Sequence, residues 1–147
     1  MAQYGRPSTD TVNDGYTDQG GGGATIYTTI DETSPSDADY IRSVLTPTSD
    51  VYTTKFTSVE DPISSTGHVV RVRMAKSAAG GEQIDVVVQL RQGYVNEGSP
   101  GTLIATVANL TNISETWTTT TYNLSGGEAD AITNYADLFL RIVSNKP

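Results

Sequence analysis

Cysteine is absent from this chain, and histidine and tryptophan occur once each. Without a thiol there is no disulfide, no thiolate nucleophile and no thiolate metal site, so stability has to come from packing or oligomerisation. The lone histidine, His68, has no second imidazole for a metal site and no serine motif beside it. No glycine-rich loop leads into a helix in the pattern that cradles phosphate. Apolar runs are short, as at Val86-Val87-Val88, and none approaches the ~18 residues of a membrane span. Met1 to Pro7 lacks the apolar stretch of a secretory signal, so export by such a signal is not expected. Basic residues are also scarce: nine Lys and Arg against seventeen Asp and Glu give a formal charge of −8. That balance argues against nucleic acid as a partner, because phosphate binding needs a basic footprint. The acidity itself reads as a solubility feature.

What is present is β-sheet patterning. The length of 147 residues suits one domain with one core, and Thr, the commonest residue, fits a pleated, half-wet surface. In His68-Val69-Val70-Arg71-Val72-Arg73-Met74, Val70, Val72 and Met74 fall on one face and Arg71 and Arg73 on the other. Gln83 to Arg91 repeats the design, with Ile84, Val86, Val88 and Leu90 inward. Such period-2 alternation marks strands with one buried face. Further strands are expected at Ala24–Ile30, Asp50–Ser58, Thr102–Val107, Ser114–Tyr122 (with Trp117 inside) and Tyr135–Ser144, the last turning Leu138, Leu140 and Ile142 inward. Ala78-Ala79-Gly80-Gly81 joins the His68 and Gln83 strands at hairpin-like spacing. Short helical turns are expected at Ser36–Tyr40, capped by Ser36, and at Gly127–Ile132. Seven to eight strands with regular turn signals indicate an all-β antiparallel sandwich, and periodicity leaves jelly-roll and immunoglobulin-like topologies both open.

Residues 1–23 read as a separate zone, a polar N-terminal arm ending in Gly20-Gly21-Gly22-Gly23, with the sandwich domain over 24–147. So little apolar surface cannot order itself, and a glycine run is flexible. The zone is therefore either a disordered tail or an arm that folds onto a neighbouring subunit. Tyr4, Arg6 and Tyr16 are the candidate partner-binding residues of the arm.

Catalytic patterns are thin. Asp31-Glu32 with Asp37 and Asp39 supply enough oxygen for a calcium ion but match no EF-hand spacing. Glu60-Asp61 and Glu128/Asp130 suit turns and helix caps better than the paired carboxylates of a sugar hydrolase. No catalytic residue, metal site or cofactor is expected. Trp117 is read mainly as a core indole, with stacking on a glycan as the alternative. The sequons at Asn109, Asn112 and Asn123 are chance matches in a Ser- and Thr-rich chain. One charge pattern stands out: Arg71, Arg73, Arg91 and Arg141 alternate opposite the apolar faces of three strands. Were those strands neighbours, the four would form a basic ladder. It would either be satisfied by local acids such as Asp85 or dock an acidic partner through bidentate guanidinium contacts.

In order and spacing, several segments resemble a small β-sandwich domain of tailed-bacteriophage structural proteins. They are Gly5-Arg6-Pro7; Ile30-Asp31-Glu32 with Asp37-Ala38-Asp39-Tyr40-Ile41; Asp61-Pro62 with Ser65-Thr66-Gly67-His68-Val69-Val70-Arg71-Val72-Arg73; Gln89-Leu90-Arg91-Gln92-Gly93; and Tyr135-Ala136-Asp137-Leu138. The resemblance spans nearly the whole chain. It implies a non-enzymatic virion component on the outer surface of the capsid, a decoration (cement) protein assembled in the bacterial host cytoplasm. Its expected partners are the major capsid protein and its own copies in a homotrimer, with neither nucleic acid nor membrane. A glycan-binding or tail/fibre-associated module is the alternative.

Overall fold

The computed structural model describes residues 2–78 and 82–147. Its frame is a five-stranded antiparallel sheet in the order β1-β4-β9-β6-β7, where β1 is Pro7–Asn13, β4 Thr48–Phe56, β6 Asp85–Gln92, β7 Thr102–Leu110 and β9 Leu138–Asn145. A second layer is the ribbon of β5 (Val69–Met74) and β8 (Thr118–Asn123). The two-residue strands β2 (Thr17–Asp18) and β3 (Ile41–Arg42) form a separate small pair. The chain is thus an all-β antiparallel sandwich.

Register explains the core. Across β6, β9 and β4 the rows Val86–Ser144–Asp50, Val88–Ile142–Tyr52 and Leu90–Leu140–Thr54 share one face. Val70, Val72 and Met74 of β5 and Tyr122 of β8 pack onto the Val86–Val88–Leu90 end, with Ile113, Leu124 and Ile132 closing the layer. Over the β4 end a smaller cluster joins Tyr16, Ile26 and Tyr52, with Ile30, Ile41 and Ile142 against it. The alternation read for β5 and β6 therefore holds. Their expected hairpin does not form: β5 pairs with β8, and β6 with β7 and β9. The two apolar faces meet across the core instead of lying side by side, which buries both. Of the connector, Ala79, Gly80 and Gly81 lie outside the described residues.

The N-terminal zone is built into this body. β1 runs along the edge of β4, from Pro7 opposite Phe56 to Asn13 opposite Tyr52. Its polar side chains need no core of their own, because backbone pairing to β4 and the burial of Tyr16 hold the segment. The tyrosine is 7% exposed, and its hydroxyl donates to Ser144 Oγ at 2.9 Å. The glycine run, read as a hinge, forms a turn around Asp18. The Gly22 amide donates to the Asp18 carboxylate at 2.8 Å, and a Cβ at Gly22 would lie 2.7 Å from that carboxylate.

Ala24–Ile30 is a one-turn 3-10 helix, Ile26–Thr29, rather than a strand. Ile26 and Ile30 both reach the small cluster, and that i, i+4 spacing serves a helical turn as well as alternation serves a strand. Residues 36–40 form no helix: Ser36 Oγ accepts the Ala38 amide in a local turn. The other expected helix exists as α1 (Gly126–Asp130), with Ser125 and Glu128 forming a reciprocal capping box. β8 starts at Thr118, leaving Trp117 just outside it.

The loop after β6 returns through Gly101, whose φ is +67°. A Cβ there would overlap the Gln92 carbonyl and lie 2.6 Å from the Gly93 carbonyl carbon. Gly101→Ala is expected to cost on the order of 1–3 kcal/mol, whereas Gly23→Ala, with nothing within 4 Å of the added atom, should be near neutral. Denaturant midpoints of the two variants check the contrast, and equal values would show that the loop relaxes freely.

Candidate functional site

The arginines expected as one ladder are divided between two surfaces. Arg91 and Arg141 sit on neighbouring strands β6 and β9, on the face away from the core, where Gln89 stands opposite Arg141 and Arg91 opposite Phe139. The loop over this face brings Glu97 to Arg141, an ion pair with Glu97 Oε1 accepting from Arg141 Nε at 2.9 Å. Arg141 and a hydrogen bond from Tyr94 hold the Glu97 carboxyl below its ordinary range, the arginine foremost. Glu97 in turn raises Arg141. Among the described residues Arg91 makes no ion pair. Its guanidinium donates to Gln89 and to the Pro100 and Gly101 carbonyls, and desolvation followed by the charge of Arg141 lowers it. Tyr94 packs against Phe139 with ring centroids 5.7 Å apart. Lys55 sits over the same Phe139 ring at 5.4 Å and pairs with Asp137 at 3.0 Å. This surface is a set of locked polar contacts. Asp85, the local acid expected to satisfy the arginines, instead accepts from the Asn112 amide and the Gln83 side chain.

Arg71 and Arg73 lie on the outward face of the β5–β8 ribbon, opposite Thr121 and Thr119. Arg73 is gripped by Asp37 through two hydrogen bonds of 2.5 and 2.8 Å. That contact lowers the Asp37 carboxyl and raises Arg73. Three residues on from Asp37, Tyr40 meets the Trp117 ring at 5.6 Å. The residue 31–40 loop therefore lies against this face, and the indole read mainly as core lies outside both core clusters, partly buried against Tyr40.

Several of the remaining candidates have structural occupations, while Tyr4, Asp31, Glu32 and Glu60 make no side-chain hydrogen bond or ion pair among the described residues. Tyr4 is 62% exposed, Arg6 donates to the Asp31 carbonyl at 3.0 Å, and Tyr16 is buried as described. Tyr16 therefore anchors its own subunit. His68 Nε2 lies 2.7 Å from the Tyr135 hydroxyl. Glu128, besides capping α1, accepts from Tyr122 at 2.7 Å, which lowers its carboxyl. Asp130 accepts from Ser65 at 2.6 Å, Asp61 from the Ile63 amide and Asp39 from Gln19. Among the described residues no group of three or more His, Cys, Asp or Glu is placed to hold a metal ion.

The chain matches no family model, no curated protein and no solved structure.

Two features escaped the sequence reading. Glu97 and Tyr94 fall outside every expected strand and carry no role in that reading, although a carboxylate in a glycine-bounded loop after an arginine strand invites a fold-back pair. Val44 and Leu45 are 51% and 72% exposed and line a cleft together with Gly15, Thr17, Arg42 and Ser43. An apolar pair amid Ser, Thr and Pro was the available signal.

Proposed function

We propose that this chain is a non-enzymatic structural protein of a tailed-phage virion, a decoration protein that binds the outside of the head and stabilises contacts between capsid subunits. The observation that carries the reading is where the chain spends its polar and apolar groups. Asp37, Glu97 and Glu128 are held in ion pairs and a helix cap and His68 meets the Tyr135 hydroxyl, while Val44 and Leu45 are exposed to solvent. Val44 and Leu45 are adjacent and line one cleft, and contiguous apolar surface of this kind, unlike scattered single residues, suits contact with a partner. The motif order that resembles phage β-sandwich proteins supports the same assignment. Assembly as a homotrimer belongs to the proposal, because several copies engaging together multiply modest contacts through effective concentration.

The test is co-sedimentation of the purified protein with undecorated phage heads, together with the temperature at which those heads release DNA. Binding and an upward shift in that temperature are expected. Leu45→Asp should abolish binding and leave the protein's own Tm within a few degrees, because the side chain is already exposed. Failure of the unaltered protein to bind heads would overturn the assignment. Binding unaffected by Leu45→Asp would move the contact elsewhere on the surface.

A further inference from the structure

The outward face of the β5–β8 ribbon carries three kinds of group in one line. At one end are the Trp117 and Tyr40 rings, their planes inclined by 56°. In the middle is the Arg73–Asp37 pair, with the Thr119 hydroxyl accepting a third guanidinium contact at 3.2 Å. At the far end Arg71 stands opposite Thr121. It is exposed, and among the described residues its guanidinium makes no ion pair and no hydrogen bond.

We propose that this face binds an acidic oligosaccharide, with Trp117 and Tyr40 receiving the C–H face of one sugar and Arg71 the carboxylate of another. A pyranose ring has an apolar face that packs on an aromatic ring and a rim of hydroxyls that both donate and accept. The Arg73–Asp37 pair supplies donors and acceptors side by side, already held in one orientation by their mutual contact. Arg71 supplies a planar fork matched to a carboxylate. Four residues of extended chain from Trp117 to Thr121 span roughly 13 Å, about the length of two to three pyranose rings. A nucleic acid would also stack on the aromatics. It would bring a phosphate with every base to a chain of charge −8, where this face offers one unpaired guanidinium. A sugar chain with one carboxylate for every two rings matches that single charge.

Trp117 is the only tryptophan, so fluorescence excited at the red edge, where the eight tyrosines do not absorb, reports this face alone. The full-length protein is titrated with a hyaluronan tetrasaccharide, which alternates uronic acid with N-acetylhexosamine, and separately with trigalacturonate. A saturable fluorescence change with Kd near about 1 mM or tighter is expected for at least one probe. Arg71→Gln should weaken it by about tenfold, while the carboxyl-reduced form of that probe binds both proteins equally. Trp117→Ala should lose the binding by calorimetry with its circular dichroism unchanged. No saturable response to either probe would overturn the proposal, as would equal affinity of Arg71→Gln or tighter binding of an oligothymidylate. Phage heads take no part in this experiment, so it and the decoration assignment fail separately.

Discussion

Replacing Tyr52 by alanine is expected to remove about 3–5 kcal/mol of stability, the range for deleting a large buried aromatic side chain. Tyr52 has no solvent exposure and lies on β4, one strand in from the β1 edge, in the row Val88–Ile142–Tyr52. Its ring is 5.7 Å from that of Tyr16. Its hydroxyl donates to Asp10 at 2.6 Å, and the same carboxylate accepts the Tyr27 amide at 2.9 Å. One side chain thus ties together strand β1, the 3-10 helix and the segment carrying Tyr16. Against a typical total of about 5–15 kcal/mol, the loss should lower Tm by roughly 10–20 °C. Hydrogen exchange should show residues 7–30 losing protection first, while the β6–β9 pair stays slow. Tyr52→Phe keeps the ring and should cost only about 1–2 kcal/mol, chiefly from leaving Asp10 with one donor. A loss under about 1 kcal/mol for the alanine variant would mean that the small cluster contributes little to the folded body.

That dependence shows why the N-terminal third was the least legible part of the sequence. Strands β5, β6 and β9 announce themselves because each buries one face, and alternation records that burial directly. Val86, Val88 and Leu90 are all buried, as their spacing requires. β1 buries no large apolar face. It is held by backbone pairing to β4, with register shifts at Ser8 and Thr11, and backbone pairing leaves no compositional trace. The signal that it belongs to the body is the pairing of Tyr16 with Ser144, 128 residues apart. A single chain gives no measure of such distant contacts. The arginine surfaces were legible by parity but not by neighbourhood. Alternation correctly set all four opposite the apolar faces, but strand order decides which of them meet, and strand order was open. Trp117 illustrates the same limit. Its place in a Thr-rich strand suggested the core, but β8 begins one residue later and the ring turns to Tyr40 on a distant loop.

Alkaline pH should unfold this protein through the small cluster. Burial pushes the Tyr16 phenol up to about 12; the hydrogen bond to Ser144 offsets part of the shift, and the Asp50 charge adds to it. Tyr52 is raised as well, by burial first and then by its hydrogen bond to Asp10 and the charge there. A folded-state value above the unfolded value means that the native phenol keeps its proton after the unfolded chain has lost it. Below the unfolded value of about 10 both states are protonated and the stability is fully present. As pH rises from about 10 towards 12 the unfolded state gains by ionising and stability falls, by on the order of 3 kcal/mol for Tyr16 alone. Tyr52 adds to the fall in the same direction. The check is the denaturant midpoint at about pH 8 and again at about pH 11, for the parent chain and for Tyr16→Phe. Phenylalanine should be less stable at the lower pH, because the buried Ser144 hydroxyl loses its donor. It should nevertheless lose less stability between the two pH values, since one of the two phenols that resist ionisation is gone. An identical drop in both proteins would show that the Tyr16 hydroxyl meets water in solution and that the cluster opens around it.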